Sequence, residues 1–133
     1  MSSISLGTPL PPQRRVLVVD DEPLFGRAVA RAMRKHAEVV LEWTGALALD
    51  RVAQGEQFDL ILCDVALPGL NGPDFFERLV DAVPELEARL VFVTGGAVEE
   101  IEAKLRRTGR PCLRKPITGA ILISLLERRA ERE

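Results

Sequence analysis

The sequence predicts a single α/β domain, in which helices cover both faces of a five-stranded parallel sheet. Five short apolar runs alternate with five amphipathic stretches along the chain. The runs are continuous and rich in β-branched residues, which is typical of strands covered on both faces. They begin about 20 to 30 residues apart, the length of a strand–helix–strand repeat. These observations indicate a doubly wound α/β architecture.

The predicted strands follow directly from the apolar runs. They cover residues 16–19, 39–41, 60–63, 90–93 and 111–113. The first four consist of Val, Leu, Ile, Phe and Cys, whereas the fifth is weak. A parallel sheet needs a crossover after each strand, and the amphipathic stretches are long enough to supply it as helices.

The predicted helices have apolar residues three or four positions apart and recognisable ends. They cover residues 23–36, 45–53, 74–83, 98–107 and 118–129. Pro23 suits a first helical turn, and Thr118 suits an N-cap. Pro84 ends the third helix because proline cannot continue it, and Gly109 is a typical C-terminal stop for the fourth.

Composition bounds the domain organisation and the classes of partner. The chain has 133 residues, a net charge of −2, 47% hydrophobic and 29% charged residues, which is ordinary for a globular domain. We expect a flexible leader over residues 1–13, which contains three prolines, followed by one domain over residues 14–133. The near-neutral charge predicts no nucleic-acid partner. The apolar runs are too short for a bilayer, so we expect no membrane association. Residues 1–13 lack the apolar core of a signal peptide, so we expect a cytoplasmic location.

The cysteines and the single histidine carry little chemistry in this sequence. Two cysteines cannot form a disulfide framework, and one histidine excludes a multi-histidine metal site. We expect Cys63 and Cys112 to be small buried apolar residues, and His36 to lie at the surface near a helix end. Phe75, Phe76 and Trp43 are expected to pack in the core or to be partly exposed.

Polar residues follow the predicted strands at the point where each strand ends. The first strand is followed by Asp20, Asp21 and Glu22, the third by Asp64, the fourth by Thr94, and the fifth by Lys115. The carboxyl ends of parallel strands lie along one edge of the sheet, where ligands bind. Three or four carboxylates, a hydroxyl and an ammonium are therefore expected to meet there, although they are distant in sequence.

This set of groups predicts phosphoryl chemistry with a divalent cation. Clustered carboxylates repel one another, and Mg²⁺ accepts one or two carboxylates, a carbonyl and waters as ligands. An aspartate can act as a nucleophile and form an aspartyl-phosphate. The metal ion and a lysine would then neutralise charge on the transferred oxygens.

At this point the sequence resembles the receiver domain of two-component response regulators. The resemblance covers residues 15–129, and its motifs occur in order and at the family spacing. The matching residues are Asp20, Asp21, Asp64, Pro68, Gly72, Thr94, Lys115 and Pro116. The resemblance implies a flavodoxin-like (βα)5 fold with strand order 2-1-3-4-5, and a stand-alone, single-domain type of regulator.

The resemblance also implies a role for each site residue. Asp64 would be the phosphoacceptor, and Thr94 and Lys115 would contact the phosphoryl oxygens. Asp21, Asp64 and the Ala66 carbonyl would bind Mg²⁺ directly, and Asp20 would act mainly through water. The bond between Lys115 and Pro116 is typically cis in such domains.

The partners implied are a phosphodonor and an output protein. The donor would be a phosphohistidine on a sensor histidine kinase or a histidine phosphotransfer protein, docking near Pro23, Leu24 and Phe25. The output protein is unknown, and the signal would pass through protein–protein interaction. The domain would catalyse its own phosphorylation and slow dephosphorylation, without turnover of an external substrate.

Two alternatives stay open from the sequence. The family usually has Tyr or Phe three residues before the lysine, where this chain has Cys112, and this departure favours a degenerate receiver that acts as a phosphorylation-independent interaction module. A magnesium-dependent phosphatase with an aspartate nucleophile is the other alternative. Such enzymes commonly have a second acid two residues after the nucleophile, and Ala66 stands at that position here.

Overall fold

The parallel sheet has the strand order expected from the sequence. The structure is a computed structural model that describes residues 13–96 and 99–132, so almost all of the expected leader lies outside the described residues. The strands are β1 (Arg14–Val19), β2 (Ala37–Glu42), β3 (Leu60–Asp64), β4 (Leu90–Thr94) and β5 (Cys112–Arg114). All neighbouring strands pair in parallel, and the order across the sheet is 2-1-3-4-5. The predicted doubly wound fold is therefore confirmed.

Helices connect the strands, with boundaries that differ slightly from the expected ones. The α-helices are α1 (Pro23–Ala32), α2 (Gly45–Ala53), α3 (Gly72–Ala82), α4 (Glu102–Thr108) and α5 (Gly119–Arg132). A 3-10 helix, Pro84–Arg89, leads into β4, and a second, Glu99–Ile101, precedes α4. α3 begins earlier than expected because the Asn71 side chain accepts a hydrogen bond from the Asp74 amide and caps the helix at Gly72. α4 ends at Gly109, whose φ of 69° is left-handed, as expected for a glycine stop.

The core consists of two apolar layers, one on each face of the sheet. Successive strand residues point to opposite faces, so Leu17 and Val19 pack with α2, α3 and α4, whereas Val16 and Val18 pack with α1 and α5. The layer toward α2, α3 and α4 includes the aromatic pair of α3 and Cys63, which are buried as expected. Both faces of β1 and β3 are therefore covered, and their carboxyl ends are held at fixed positions.

Cys112 departs from the expectation. It lies in β5 at the edge of the sheet and is exposed, rather than buried as a small apolar residue. β5 has only three residues, and the middle one, Leu113, packs against the core. Because side chains alternate along a strand, Cys112 and Arg114 share the opposite orientation. His36 is exposed, as expected.

Candidate functional site

The sheet register places two aspartates side by side at its carboxyl edge. Val19 at the end of β1 pairs with Cys63 in β3, so the next residues, Asp20 and Asp64, are neighbours. Only 6% of Asp20 and 8% of Asp64 is exposed. Asp21 is exposed beside them, and one carboxylate oxygen from each of the three aspartates lies within 4.8 Å of the others. The predicted acidic cluster therefore forms.

The tight turn after β3 depends on Gly72. The Gly72 amide donates a 2.8 Å hydrogen bond to the Val65 carbonyl. A Cβ at this position would lie 2.8 Å from the Asp64 carbonyl oxygen and 3.1 Å from the Phe92 ring. Glycine is thus required for the start of α3 to approach the backbone of Asp64. This contact explains physically the glycine at the end of the motif that begins with Asp64.

Lys115 enters the cluster from the loop after β5. Its Nζ lies 2.6 Å from Asp20 Oδ2 and 3.2 Å from Glu22 Oε1. The same ammonium lies 4.6 Å from the centre of the Phe25 ring, which adds a cation–π contact. Burial alone would lower the pKa of Lys115, but the hydrogen bond to Asp20 and the charge of Asp64 raise it above its ordinary value. Lys115 is therefore a fixed positive charge at the site.

The electrostatics of Asp64 differ from those of an exposed carboxylate. Burial and the negative charge of Asp20 raise its pKa, while Lys115 and a backbone hydrogen bond from Ala66 oppose this shift. The Ala66 amide donates to Asp64 Oδ1 at 3.4 Å. The carboxylate of Asp64 is thus held in a partly buried position where its negative charge is incompletely balanced.

Thr94 reaches the same edge, but its hydroxyl bonds within its own loop. The Thr94 hydroxyl donates to the Gly96 carbonyl at 3.1 Å and accepts from the Gly96 amide at 3.3 Å. The Lys115 amide donates to the Thr94 carbonyl at 2.8 Å, which joins the ends of β4 and β5. The peptide bond between Lys115 and Pro116 is cis. The structure thus joins the three aspartates and Lys115, and places Thr94 next to them through its backbone.

The donor set fits a hard divalent cation. Oxygen ligands are what Mg²⁺ requires, and the three aspartates offer them within a few ångströms of one another. A cation there would also offset the repulsion that raises the pKa of Asp64. The acidic pocket formed by Asp20, Asp21 and Asp64 could therefore bind Mg²⁺.

Two contacts of Lys115 were not specified by the sequence, which predicted only that the acids of residues 20–22 and the lysine share one edge of the sheet. Glu22 pairs with Lys115, and the Phe25 ring lies under the same ammonium. The Glu22 amide also donates to Asp20 Oδ1 at 2.9 Å, which holds the start of α1 against the acidic cluster. The signal available in the sequence was the acidic run of residues 20–22 directly before α1, which makes Glu22 a neighbour of whatever cation the aspartates attract.

Three aspartates and a lysine at the carboxyl edge of a 2-1-3-4-5 parallel sheet define a receiver-type signalling domain. The family model for the response regulator receiver domain matches residues 16–127, and the chain belongs to that family. Receiver domains are signalling switches of two-component systems rather than enzymes that turn over an external substrate. Among the described residues, no helix is both long and apolar enough to cross a membrane.

Relatives include both longer proteins and a protein of similar length. The chain is 29% identical over 135 residues to the 3',5'-cyclic-nucleotide phosphodiesterase regA of Dictyostelium discoideum, covering 92% of this chain but 17% of that protein. It is 32% identical to the transcriptional regulatory protein CutR of Streptomyces coelicolor, covering 66% of this chain and 41% of that protein. Protein PilH of Pseudomonas aeruginosa is 27% identical, with 84% of this chain and 93% of PilH covered. The chain thus spans less than half of the first two relatives.

Solved structures of receiver domains share the fold. A CheY-like receiver domain from Methanospirillum hungatei superimposes with a TM-score of 0.76 at 23% identity, covering 92% of this chain and 100% of that one. The receiver domain of a sensor histidine kinase from Pseudomonas aeruginosa, with magnesium coordinated in its active site cleft, gives 0.76 at 23% identity, with 90% and 99% covered. These similarities establish the fold of this chain.

Proposed function

We propose that this domain is a phosphoacceptor switch that receives a phosphoryl group on Asp64 and signals through protein–protein interaction. The observation that carries the proposal is the position of Asp64, which is buried beside Asp20, the carboxylate that pairs with the Lys115 ammonium. A carboxylate whose charge is incompletely balanced is a nucleophile beside a place for a cation. A cluster of acids with only a structural role would gain no stability from such a carboxylate.

The proposed transfer has a simple balance of bonds. An oxygen of Asp64 attacks phosphorus, a new P–O bond forms, and the P–N bond to the donor imidazole breaks. The imidazole nitrogen keeps the electron pair of the broken bond. Lys115 offers an ammonium to the transferred oxygens, and Thr94 offers its hydroxyl after leaving Gly96. Both residues act by placing donors where negative charge develops.

Mg²⁺ is part of the proposal. The residues that would hold it are Asp21, Asp64 and the Ala66 carbonyl, with Asp20 acting mainly through water. When bound, the ion would neutralise negative charge on the phosphoryl oxygens. Asp20 already has a partner, because its Oδ2 lies 2.6 Å from the Lys115 ammonium. This pairing supports the more indirect role of Asp20.

The proposed donor is a phosphohistidine on a sensor kinase or a histidine phosphotransfer protein. Leu24, in the first turn of α1, is 72% exposed and follows the acidic run of residues 20–22 in the chain. Its neighbour Phe25 is buried and contacts Lys115. An exposed apolar side chain at the end of α1 that adjoins the site supports docking of the donor there. The domain would turn over no external substrate.

Incubation with Mg²⁺ and acetyl phosphate tests the proposal. Intact-mass measurement is expected to show a gain of one phosphoryl group, which the Asp64→Asn variant loses. Asp81→Asn is the matched control, because Asp81 is an exposed carboxylate near the end of α3 and is not part of the acidic cluster. Wild-type protein that gains no mass over a range of Mg²⁺ concentrations, or an Asp64→Asn variant that still gains it, would contradict the proposal.

One observation favours a second candidate, a phosphorylation-independent interaction module. The position that is usually aromatic in the family is Cys112, whose side chain is exposed and small. Because this position has no aromatic ring, a change of ring rotamer cannot transmit the state of Thr94 to the protein surface there. If beryllofluoride binds and leaves amide NMR signals away from the site unchanged, the domain acts as an interaction module. Shifts that spread to α4, β5 and α5 would instead support the phosphorylation switch.

A further inference from the structure

The ammonium of Lys115 lies at the α1 side of the acidic cluster. Its Nζ lies 2.6 Å from Asp20 Oδ2, 3.2 Å from Glu22 Oε1 and 4.6 Å from the centre of the Phe25 ring. Among the described residues, it forms ion pairs with these two carboxylates and none with Asp64. An ammonium has three N–H donors, and here two carboxylates and one aromatic ring surround it. A phosphoryl oxygen on Asp64 therefore has to compete for one of these donors.

The three partners of the ammonium differ in how much free energy it costs to lose them. The Asp20 side chain is fully buried, and a buried charge that loses its partner is strongly destabilising. Phe25 is packed in the core layer between the sheet and α1, so its ring cannot withdraw. The Glu22 side chain is 54% exposed, so water can replace the lysine at its carboxylate. Glu22 is therefore the partner that Lys115 can exchange at the lowest cost.

The side chain of Glu22 contacts the site and does not cap the helix that it precedes. Glu22 is the N-cap residue of α1, and its amide donates to Asp20 Oδ1 at 2.9 Å, which fixes its backbone. Its carboxylate makes no capping hydrogen bond, although oxygen atoms at this position commonly accept one from the first helical turn. The carboxylate instead accepts a hydrogen bond from Lys115. Among the described residues, the partner of this carboxylate is therefore the lysine of the candidate site.

We propose that Glu22 is a positioning residue that competes with the phosphoryl group for Lys115. In the unphosphorylated domain, Glu22 holds one N–H donor of Lys115 at the start of α1. A phosphoryl group on Asp64 carries about two negative charges near neutral pH, so this donor passes to a phosphoryl oxygen and Glu22 is released to water. Glu22 thus lowers the affinity of the site for a phosphoryl group. This inference rests on the proposed phosphoacceptor role of Asp64.

Beryllofluoride, a mimic of the phosphoryl group, measures this competition in an NMR titration of the full chain with Mg²⁺. We expect Glu22→Gln to bind beryllofluoride about threefold more tightly than wild type, the size of one partly exposed ion pair. Glu22→Asp keeps the charge but is one methylene shorter and suits capping of α1, so it should also bind more tightly. Glu100→Gln removes an exposed carboxylate from the 3-10 helix that precedes α4 and is the matched control, with the affinity of wild type.

The NMR signal of the Lys115 Nζ tests the contact itself, without Mg²⁺ or beryllofluoride. This signal should shift in Glu22→Gln and Glu22→Asp, and it should stay unchanged in Glu100→Gln. When Mg²⁺ and beryllofluoride are added, the Lys115 signals of wild type and Glu22→Gln should converge, because Glu22 no longer contacts the ammonium in either protein. Urea unfolding of each variant shows whether its fold is retained.

The possible failures separate this inference from the phosphoacceptor proposal. Equal beryllofluoride affinities of wild type and both Glu22 variants would overturn the inference and leave the role of Asp64 intact. Tighter binding by Glu22→Gln with an unchanged Lys115 signal would also overturn it, as would wild-type affinity of Glu22→Asp despite a shifted signal, because the effect would then be one of local charge alone. Beryllofluoride that does not bind wild type, or that binds Asp64→Asn equally well, would contradict both proposals.

Discussion

At Gly72 the backbone of α3 approaches the residue that we propose as the phosphoacceptor. The absent side chain leaves space for the Asp64 carbonyl and the Phe92 ring, both of which a Cβ would crowd. The backbone of Asp64 is also fixed by the pairing of β3 with β4. Neither neighbour can move away cheaply, because one is backbone and the other is a fully buried ring. The conformation of the site therefore depends on a residue that has no side chain to contribute.

Gly72→Ala is predicted to destabilise the domain by about 1–3 kcal/mol, the usual cost of overpacking a rigid site. Urea unfolding at neutral pH measures this directly. Gly119→Ala is the matched control, because its Cβ would lie 3.6 Å from the Cβ of Ala32, an ordinary contact. That variant should keep or slightly raise the free energy of unfolding, since alanine favours a helix over glycine. Equal stability of the two variants would contradict the steric argument.

The two cysteines occupy opposite environments. Cys63 is fully buried in β3, and burial first, then the charges of Asp64 and Asp20, raise the pKa of its thiol well above the ordinary value. Cys112 is exposed on β5, and partial burial and the charge of Asp64 raise the pKa of its thiol as well. Thiols react as thiolates, so access and pKa together decide their reactivity.

Iodoacetamide is predicted to modify one thiol of the folded protein and two of the unfolded protein. The rate for the folded protein should keep rising above pH 9, because the thiol pKa of Cys112 lies above its ordinary value of 9.0. Intact mass after timed quenching gives both the number of adducts and the rate. Cys112→Ser should leave the folded protein unmodified, and modification of Cys63 without denaturant would refute the assignment.

At the scale of elements, a chain of ion pairs joins β1, β2 and the end of α2. Arg15 pairs with Glu38 and Glu56, each at 2.9 Å. Arg51, near the end of α2, pairs with Glu42 of β2 and with Glu56. Glu56 thus lies between two arginines, and hydrogen bonds from Arg15 and then Arg51 lower its pKa. This network fixes the side of the sheet where β2 is the edge strand.

Stability is predicted to depend on pH through Glu56. Its pKa is lower in the folded state than its ordinary value of 4.5, so the folded state binds fewer protons and gains stability as pH rises. The contribution is complete above about pH 4.5 and disappears as pH falls through the folded-state pKa. The difference in urea midpoint between wild type and Glu56→Gln should therefore be present at pH 7 and shrink at lower pH.

Salt and a second variant separate this effect from general acid unfolding. Added salt should reduce the Glu56→Gln difference at pH 7, since partly exposed pairs are screened. Glu87→Gln, which removes an exposed carboxylate in the 3-10 helix before β4, is the matched control, and its urea midpoint at pH 7 should stay close to that of wild type. A constant difference for Glu56→Gln between pH 7 and pH 3 would show that charge is not its cause.

Elements with strong patterns were predictable from the sequence, and those decided by distant contacts were not. Three of the apolar runs gave the buried strands β1, β3 and β4, because covering both faces of a strand requires continuous apolar residues. The run over residues 39–41 lies in the edge strand β2 and is only partly buried. The exposure of Cys112 was predicted wrongly, because β5 is a short edge strand and its orientation is set by Leu113 packing on the core. Of the helix expected over residues 98–107, residue 98 lies outside the described residues, residues 99–101 form a 3-10 turn, and α4 begins only at Glu102.

At the candidate site, too, the sequence predicted which residues meet but not which side chains pair. The strand-end rule predicted that Asp20, Asp21, Asp64 and Lys115 would meet, and they do. The partner of each side chain depends on rotamers and on residues far along the chain. The sequence therefore placed Glu22 and Lys115, 93 positions apart, at the same edge of the sheet without specifying their contact, and the bonding of Thr94 to Gly96 had no signal in the sequence.

Across the whole molecule, the two ends of the sheet carry opposite charge. Carboxylates gather at the carboxyl ends of β1 and β3, and guanidinium groups gather at the amino ends of β3, β4 and β5. Asp64 belongs to β3 and Asp20 directly follows β1, so the paired strands keep the acidic cluster from relaxing by moving apart. The charge of this cluster therefore acts on the free energy of unfolding of the entire domain.

Mg²⁺ is predicted to stabilise the whole domain through the acidic end. Ligands that bind only the folded state add about 1.4 kcal/mol to the free energy of unfolding at ten times their dissociation constant. Urea unfolding of wild type should shift accordingly when Mg²⁺ replaces an equal ionic strength of sodium chloride. Asp21→Asn should reduce the shift because it removes one proposed ligand.

Asp64→Asn distinguishes repulsion from a general salt effect. Burial and Asp20 raise the pKa of Asp64, so its charged form is less favourable in the folded than in the unfolded chain, and stability falls as pH rises through these pKa values. Without Mg²⁺, the Asn variant should unfold at a higher urea concentration than wild type at pH 7, and it should respond less to Mg²⁺. If Mg²⁺ shifted wild type and both variants equally, the acidic cluster would not be its binding site. If Asp64→Asn unfolded at a lower urea concentration than wild type without Mg²⁺, the Asp64 carboxylate would stabilise the folded state through its contact with Ala66. Its repulsion from Asp20 would then be the smaller effect.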